Sequence, residues 1–116
     1  MHAKQEDLSV VAEMPGVFVS RQAQWGGFTS AIESLEAAHD FTKEFADLPT
    51  GRCESDHWGY VIQGKMRIKY ADREEVIQAG EIYYMAPGHI PVVEEPGVVV
   101  EFSPTEEYAR TLKAVD

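Results

Sequence analysis

Lys65-Met66-Arg67-Ile68-Lys69-Tyr70 is the stretch that decides how this chain folds. Apolar side chains stand at 66, 68 and 70 and cations at 65, 67 and 69, a two-residue period that lays one face on a core and turns the other to water. Gly64 precedes the stretch, and the polar run Ala71-Asp72-Arg73-Glu74 leads to Val76 and Ile77, so two antiparallel strands joined by a short loop are expected. Further short β-rich runs occupy residues 17–19, 28–35, 60–62, 82–85, 91–93 and 98–102, most of them punctuated by Gly or Pro. Many short strands at close spacing predict an all-β sandwich or barrel.

Two regions depart from this pattern. Residues 36–48 carry Phe41, Phe45 and Leu48 at roughly helical spacing, but Asp40 and Asp47 form turns and Pro49 closes the segment, so a long loop with one helical turn is expected. At the other end Ser103, Pro104 and Glu106 have the spacing of a capping box with proline at the first helical position, and Tyr108, Leu112 and Val115 follow at helical spacing. A C-terminal helix over residues 103–116 should therefore lay one face on the sheet, with residues 1–15 as an N-terminal arm.

At 116 residues and 13.0 kDa the chain fits a single domain spanning 1–116. With 44% hydrophobic residues it has enough apolar surface for a core. A net charge of −10 repels a phosphate backbone or an anionic lipid surface, so neither nucleic acid nor a membrane is an expected partner. Apolar runs are short and no basic segment precedes an apolar one near the start, which points to a cytoplasmic protein. The single cysteine, Cys53, excludes an internal disulfide. Trp25-Gly26-Gly27-Phe28 lacks the lysine and spacing of a phosphate loop, and no nucleophile triad is visible.

Residues 51–91 resemble the two motifs of the cupin superfamily, which implies a cupin-type β-barrel or jelly roll. The first motif runs His-x-His, three or four residues, Glu, six residues, Gly. Here His57 stands in the glutamate position ahead of Gly64, with Cys53 in the place of the second histidine and Gly51 in that of the first. The second motif runs Gly, five residues, Pro-x-Gly-x-x-His. It is matched by Gly80 and by Ala86-Pro87-Gly88-His89-Ile90-Pro91, where Pro91 takes the histidine position and His89 lies two residues before it. The chain also resembles a group of small bacterial cupins through Cys53, His57-Trp58-Gly59-Tyr60-Val61, Pro87-Gly88-His89 and Glu101-Phe102-Ser103-Pro104. No reaction comes with that likeness.

The resemblance implies that the two motifs face each other across a barrel, with Cys53 and His57 pointing inward. Four residues apart, they share a strand face, and His89 reaches the same interior from the opposing strand. One thiolate and two imidazoles would suit zinc, with a position left for water, or ferrous iron or copper. With a divalent ion the set carries +1, as do three histidines and a glutamate. The alternative for Cys53 is a buried small hydrophobe, for His57 an interior hydrogen-bonding group, and for His89 a turn residue. His2 and His39 lie outside both motifs.

Trp58, Tyr60, Tyr83 and Phe102 are the expected lining of a pocket for a small ligand, or else plain core. Glu101 alternates away from Val98, Val100 and Phe102 and is expected to face solvent. Two functions stay open: a metal-dependent enzyme acting on a small molecule inside the barrel, or a metal-free module that binds a small ligand there. A homodimer paired through an edge strand at 17–19 is also expected.

Overall fold

The computed structural model of the chain describes residues 1–115, with side chains through Thr111. The alternating stretch is the second half of a long strand, β5 (His57–Lys69), which turns into β6 (Glu74–Gln78) with Lys65 opposite Gln78 and Lys69 opposite Glu74. Met66, Ile68 and Tyr70 are buried, while Arg67 and Lys69 turn outward to Glu74, Glu94 and Asp40. This is the expected hairpin.

The other strands are β1 (Ser9–Met14), β2 (Phe18–Trp25), β3 (Phe28–Leu35), the short β4 (His39–Asp40), β7 (Ile82–Met85) and β8 (Ile90–Pro104). They form one antiparallel sheet in the order β1-β2-β3-β8-β5-β6, with β4 alongside β8 and β7 alongside β5. The sheet does not close on itself. Strand β1 lies in the N-terminal arm, and because β2 pairs with β1 on one side and β3 on the other, residues 17–19 do not supply a free edge. The loop at 36–48 does hold one helical turn, α1 (Thr42–Phe45).

Runs expected as separate strands are joined in pairs. Residues 60–62 and 65–70 belong to β5, and residues 91–93 and 98–102 to β8. Each long strand is irregular near its middle, where the β5–β8 register shifts between Val61 and Met66. Gly64 holds a φ of +95° there, and a side chain on the facing Gly97 would run into the backbone of Gln63. Two glycines thus let two backbones meet at a bulge, which bends both strands around the interior.

The C-terminal helix, α2 (Thr105–Val115), starts later than expected. Ser103 and Pro104 still belong to β8, and the Ser103 hydroxyl meets His57 instead of capping the helix. Tyr108 and Thr111 are buried beneath α2, and the expected contribution of Leu112 and Val115 to that face falls outside the described side chains, as Asp116 does outside the described backbone. The core gathers Val61, Ile68, Val93 and Val99, each 0–2% exposed, against Phe18, Phe41 and Phe45. Each such burial stabilises the fold by about 1.5–3 kcal/mol. No helix among the described residues is long and apolar enough to cross a membrane.

Candidate metal and ligand site

Three segments converge at one end of the interior. Cys53 lies ahead of β5 and is fixed by a two-residue bridge to His89: its N–H donates to the His89 carbonyl at 2.9 Å, and the His89 N–H returns to the Cys53 carbonyl at 3.2 Å. His57 opens β5 on the inward phase that it shares with Val61. The bridge to His89, not a shared strand with His57, is what aims the thiol. The ligating atoms of Cys53, His57 and His89 lie within 4.8 Å of one another, and all three residues are buried.

Hydrogen bonds set the proton positions. The Nδ1 of His89 is 2.6 Å from the Ala86 carbonyl, which can only accept, so Nδ1 carries the hydrogen and Nε2 keeps a lone pair. On His57, Nδ1 meets Ser103 Oγ at 2.5 Å and Glu101 Oε2 at 3.5 Å, leaving Nε2 3.3 Å from the Cys53 sulfur. Thr111 Oγ1 lies 3.0 Å from the same sulfur. Burial pushes the Cys53 thiol up to about 11 and pulls both histidines down to about 4, with repulsion from His57 adding to the effect at His89. At neutral pH the protein therefore holds a thiol and two uncharged imidazoles.

A second polar group runs across the sheet beside them. Register places Gln22 opposite Ala31, Ala31 opposite Glu101, Glu101 opposite Gly59 and Gly59 opposite Tyr83, one inward-facing row over five strands. The Tyr83 hydroxyl donates to Glu101 Oε1 at 2.8 Å. Tyr108, from α2, donates to Glu33 Oε2 at 3.2 Å and accepts from Gln22 Nε2 at 3.4 Å. Burial, then the charge of Glu101, pushes the Glu33 carboxyl up to about 8, and burial pushes Glu101 up to about 7. Both glutamates, with the Cys53, His57 and His89 group, line a cavity of about 80 Å³ whose other walls include Phe18, Phe41, Phe45 and Met85. That is room for a few waters or a small organic group.

Several expectations are corrected here. Trp58, Tyr60 and Phe102 do not line the cavity; they face outward and are 42–43% exposed. The reason is the strand period: with His57 and Val61 inward, Trp58 and Tyr60 must point out, and with Val99, Glu101 and Ser103 inward, so must Phe102. Tyr83 is buried and reaches the site through Glu101. Glu101 is 6% exposed and faces the interior, not solvent. Glu33, Tyr108 and Thr111 join the site without having been singled out in the sequence. Glu33 shares an inward phase with Ala31 and Leu35, a signal visible only once the phase of β3 is known. His39 lies apart, paired with Glu44 at 2.9 Å.

No protein-family profile matches the chain, and no curated protein does. Its likeness is to solved structures. An RmlC-like cupin from Shewanella frigidimarina superposes with a TM-score of 0.60 at 14% identity, over 88% of this chain and 88% of that one. EutQ of Clostridium difficile gives 0.61 at 14% identity over 89% and 85%. The Fe(II) form of HppE gives 0.63 at 7% identity, over 89% of this chain and 59% of that larger one. The chain has the fold of the cupin superfamily.

Proposed function

We propose that the protein is a metal-dependent enzyme that acts on a small molecule in this cavity, with Cys53 Sγ, His57 Nε2 and His89 Nε2 holding the ion. The observation that carries this reading is the convergence of one sulfur and two imidazole nitrogens at a buried point, each ring with its other nitrogen already engaged. Metal-binding histidines are oriented in this way by outer partners. A sulfur and two nitrogens fit zinc, ferrous iron or copper, and the neighbouring HppE structure contains Fe(II). When bound, the ion would supply Lewis-acid activation of water or of a substrate oxygen, or oxygen chemistry.

The chain's own groups have definable tasks. Ala86 and Ser103 hold the two rings, Thr111 steadies the sulfur, and Glu101 offers a carboxyl beside His57 Nδ1 that can take or hold a proton. Phe18, Phe41 and Phe45 exclude bulk water. A lone thiol accords with a reducing compartment such as the cytoplasm.

The test is elemental analysis of untagged protein together with thiol reactivity. Near one zinc, iron or copper per chain is expected, with Cys53 shielded from alkylation until a chelator removes the ion. Protein that neither holds nor takes up metal overturns the reading. A metal-free module binding a small ligand is the second reading, and it is favoured by the bonding of Cys53 to both His57 and Thr111 within the protein itself.

A further inference from the structure

The acidic side of the cavity selects what enters it. Glu101 and Glu33 lie on the inward faces of adjacent strands, with Glu101 opposite Ala31 and Glu33 two residues further along β3. Their Cβ atoms are therefore diagonal neighbours, about 7–8 Å apart, a span that two glutamate side chains close from either end. No lysine or arginine lines the cavity among the described residues. Buried carboxyls without a cation are unusual, because a buried charge is normally paired. A further buried acceptor lies on the same face of the sheet. Gln22 is 6% exposed, its Nε2 is engaged by Ser20 and Tyr108, and its Oε1 has no partner. It stands across Ala31 from Glu101 in the sheet register, outside the residues that line the cavity.

Two carboxyls therefore open on the cavity, and its other walls include Leu35, Phe18, Phe41 and Met66. We infer that the cavity takes a small aliphatic amine, its ammonium group donating to Glu33 and Glu101 and its hydrocarbon part lying on the aromatic wall. This rests on the reading of the cavity as a small-molecule site and names the class of that molecule. An ammonium matches this wall because it brings three donors and a positive charge to two carboxyls that no lysine or arginine accompanies among the lining residues. The net charge of −10 adds long-range attraction for cations.

The experiment compares n-propylammonium, n-propanol and propionate, three probes of nearly equal size, by calorimetry and thermal shift at pH 7 and physiological ionic strength. Selective binding of the ammonium, weakened tenfold or more in Glu33→Gln, is expected. The glutamine keeps an acceptor for Tyr108, so this variant retains the cavity wall. Equal binding of propanol, or ammonium binding unchanged in Glu33→Gln, overturns the inference. The wild-type comparison decides the matter even if the variant folds poorly. Metal content measured on the same preparations separates the two readings. Amine selectivity in metal-free protein supports this inference while the metal reading fails, and a loaded metal with no amine selectivity does the reverse.

Discussion

The Tyr83 hydroxyl reaches Glu101 Oε1, 2.8 Å away, by crossing over Gly59, which lies between the two residues in the sheet register. A Cβ at position 59 would collide with the Tyr83 ring end and with the Val100 carbonyl. Gly59→Ala should therefore destabilise the fold by about 1–3 kcal/mol through overpacking. Tyr83→Phe, which frees Glu101 of its donor, should cost about 1–3 kcal/mol for the unsatisfied carboxyl. Urea unfolding of both variants checks this, and a double variant no worse than the worse single one would place both effects in the same contact.

Ser103 touches no expected ligand except through His57 Nδ1, so Ser103→Ala probes the ring's orientation. It should weaken metal affinity by about 10–100-fold while leaving the stoichiometry at saturating metal unchanged. Competition against a chromophoric chelator measures both quantities. His89→Ala should instead abolish stoichiometric loading.

Stability should fall as the solution becomes alkaline. Glu33 is raised to about 8 from an ordinary value of 4.5, so between these limits the folded chain holds a proton that the unfolded chain has lost. Its contribution is complete below about 4.5 and disappears as pH rises through about 8. Calorimetric melting at pH 5 and at pH 8.5 should show the loss, and Glu33→Gln should flatten the profile and melt higher than the parent at the alkaline end.

Phe28, Trp58, Tyr60, Ile62, Tyr84 and Phe102 are each 41–47% exposed, and the outward positions of β3, β5 near Trp58, β7 and β8 near Phe102 carry no charge. Neighbouring rings touch, with Trp58 centred 5.4 Å from Tyr84 and 6.1 Å from Phe28. At 150–250 Å² per aromatic side chain this face, with Ile82, exposes roughly 600 Å², larger than an ordinary surface patch. It approaches the ~800 Å² per partner of a stable interface. We propose a second copy as the partner, because two chains of charge −10 repel each other least through a face that bears no charge. Sedimentation should give a dimer near 26 kDa, about twice the chain mass, and Trp58→Glu should give the monomer; a monomeric parent at micromolar concentration defeats the prediction.

That outer face also explains what the sequence left hidden. The hairpin at Lys65 was legible because its outward residues are charged, so the period names the buried side. In Val98-Val99-Val100-Glu101-Phe102-Ser103 both faces carry apolar residues, and the phase cannot be read from hydropathy. Hydropathy alone puts Glu101 outward and Trp58, Tyr60 and Phe102 inward, the reverse of their positions in the sheet. The inward placing of His57 already implied the opposite for Trp58 and Tyr60, since adjacent strand residues face opposite ways. Cys53, His57 and His89 were legible from motif spacing. Thr111 and Tyr108 were not legible as site residues, because the way a helix docks on a sheet is set by packing, not by any local pattern.

The pairing of β3 with β8 joins Phe28 to Pro104, residues at nearly opposite ends of the chain. On a ribosome releasing the chain from its N-terminus, β2 and β3 emerge early and must wait for β8, the strand that lies between β3 and β5. Glu101, Ser103 and Thr111, which steady the buried end of the cavity, are made after Cys53, His57 and His89. His57 and Cys53 consequently emerge without their supports, and the interior can assemble only once β8 and α2 have emerged. Folding should be slow and vulnerable to association through the waiting strands, and truncation after residue 100 should remove Glu101, Ser103 and the whole of α2 from the cavity together.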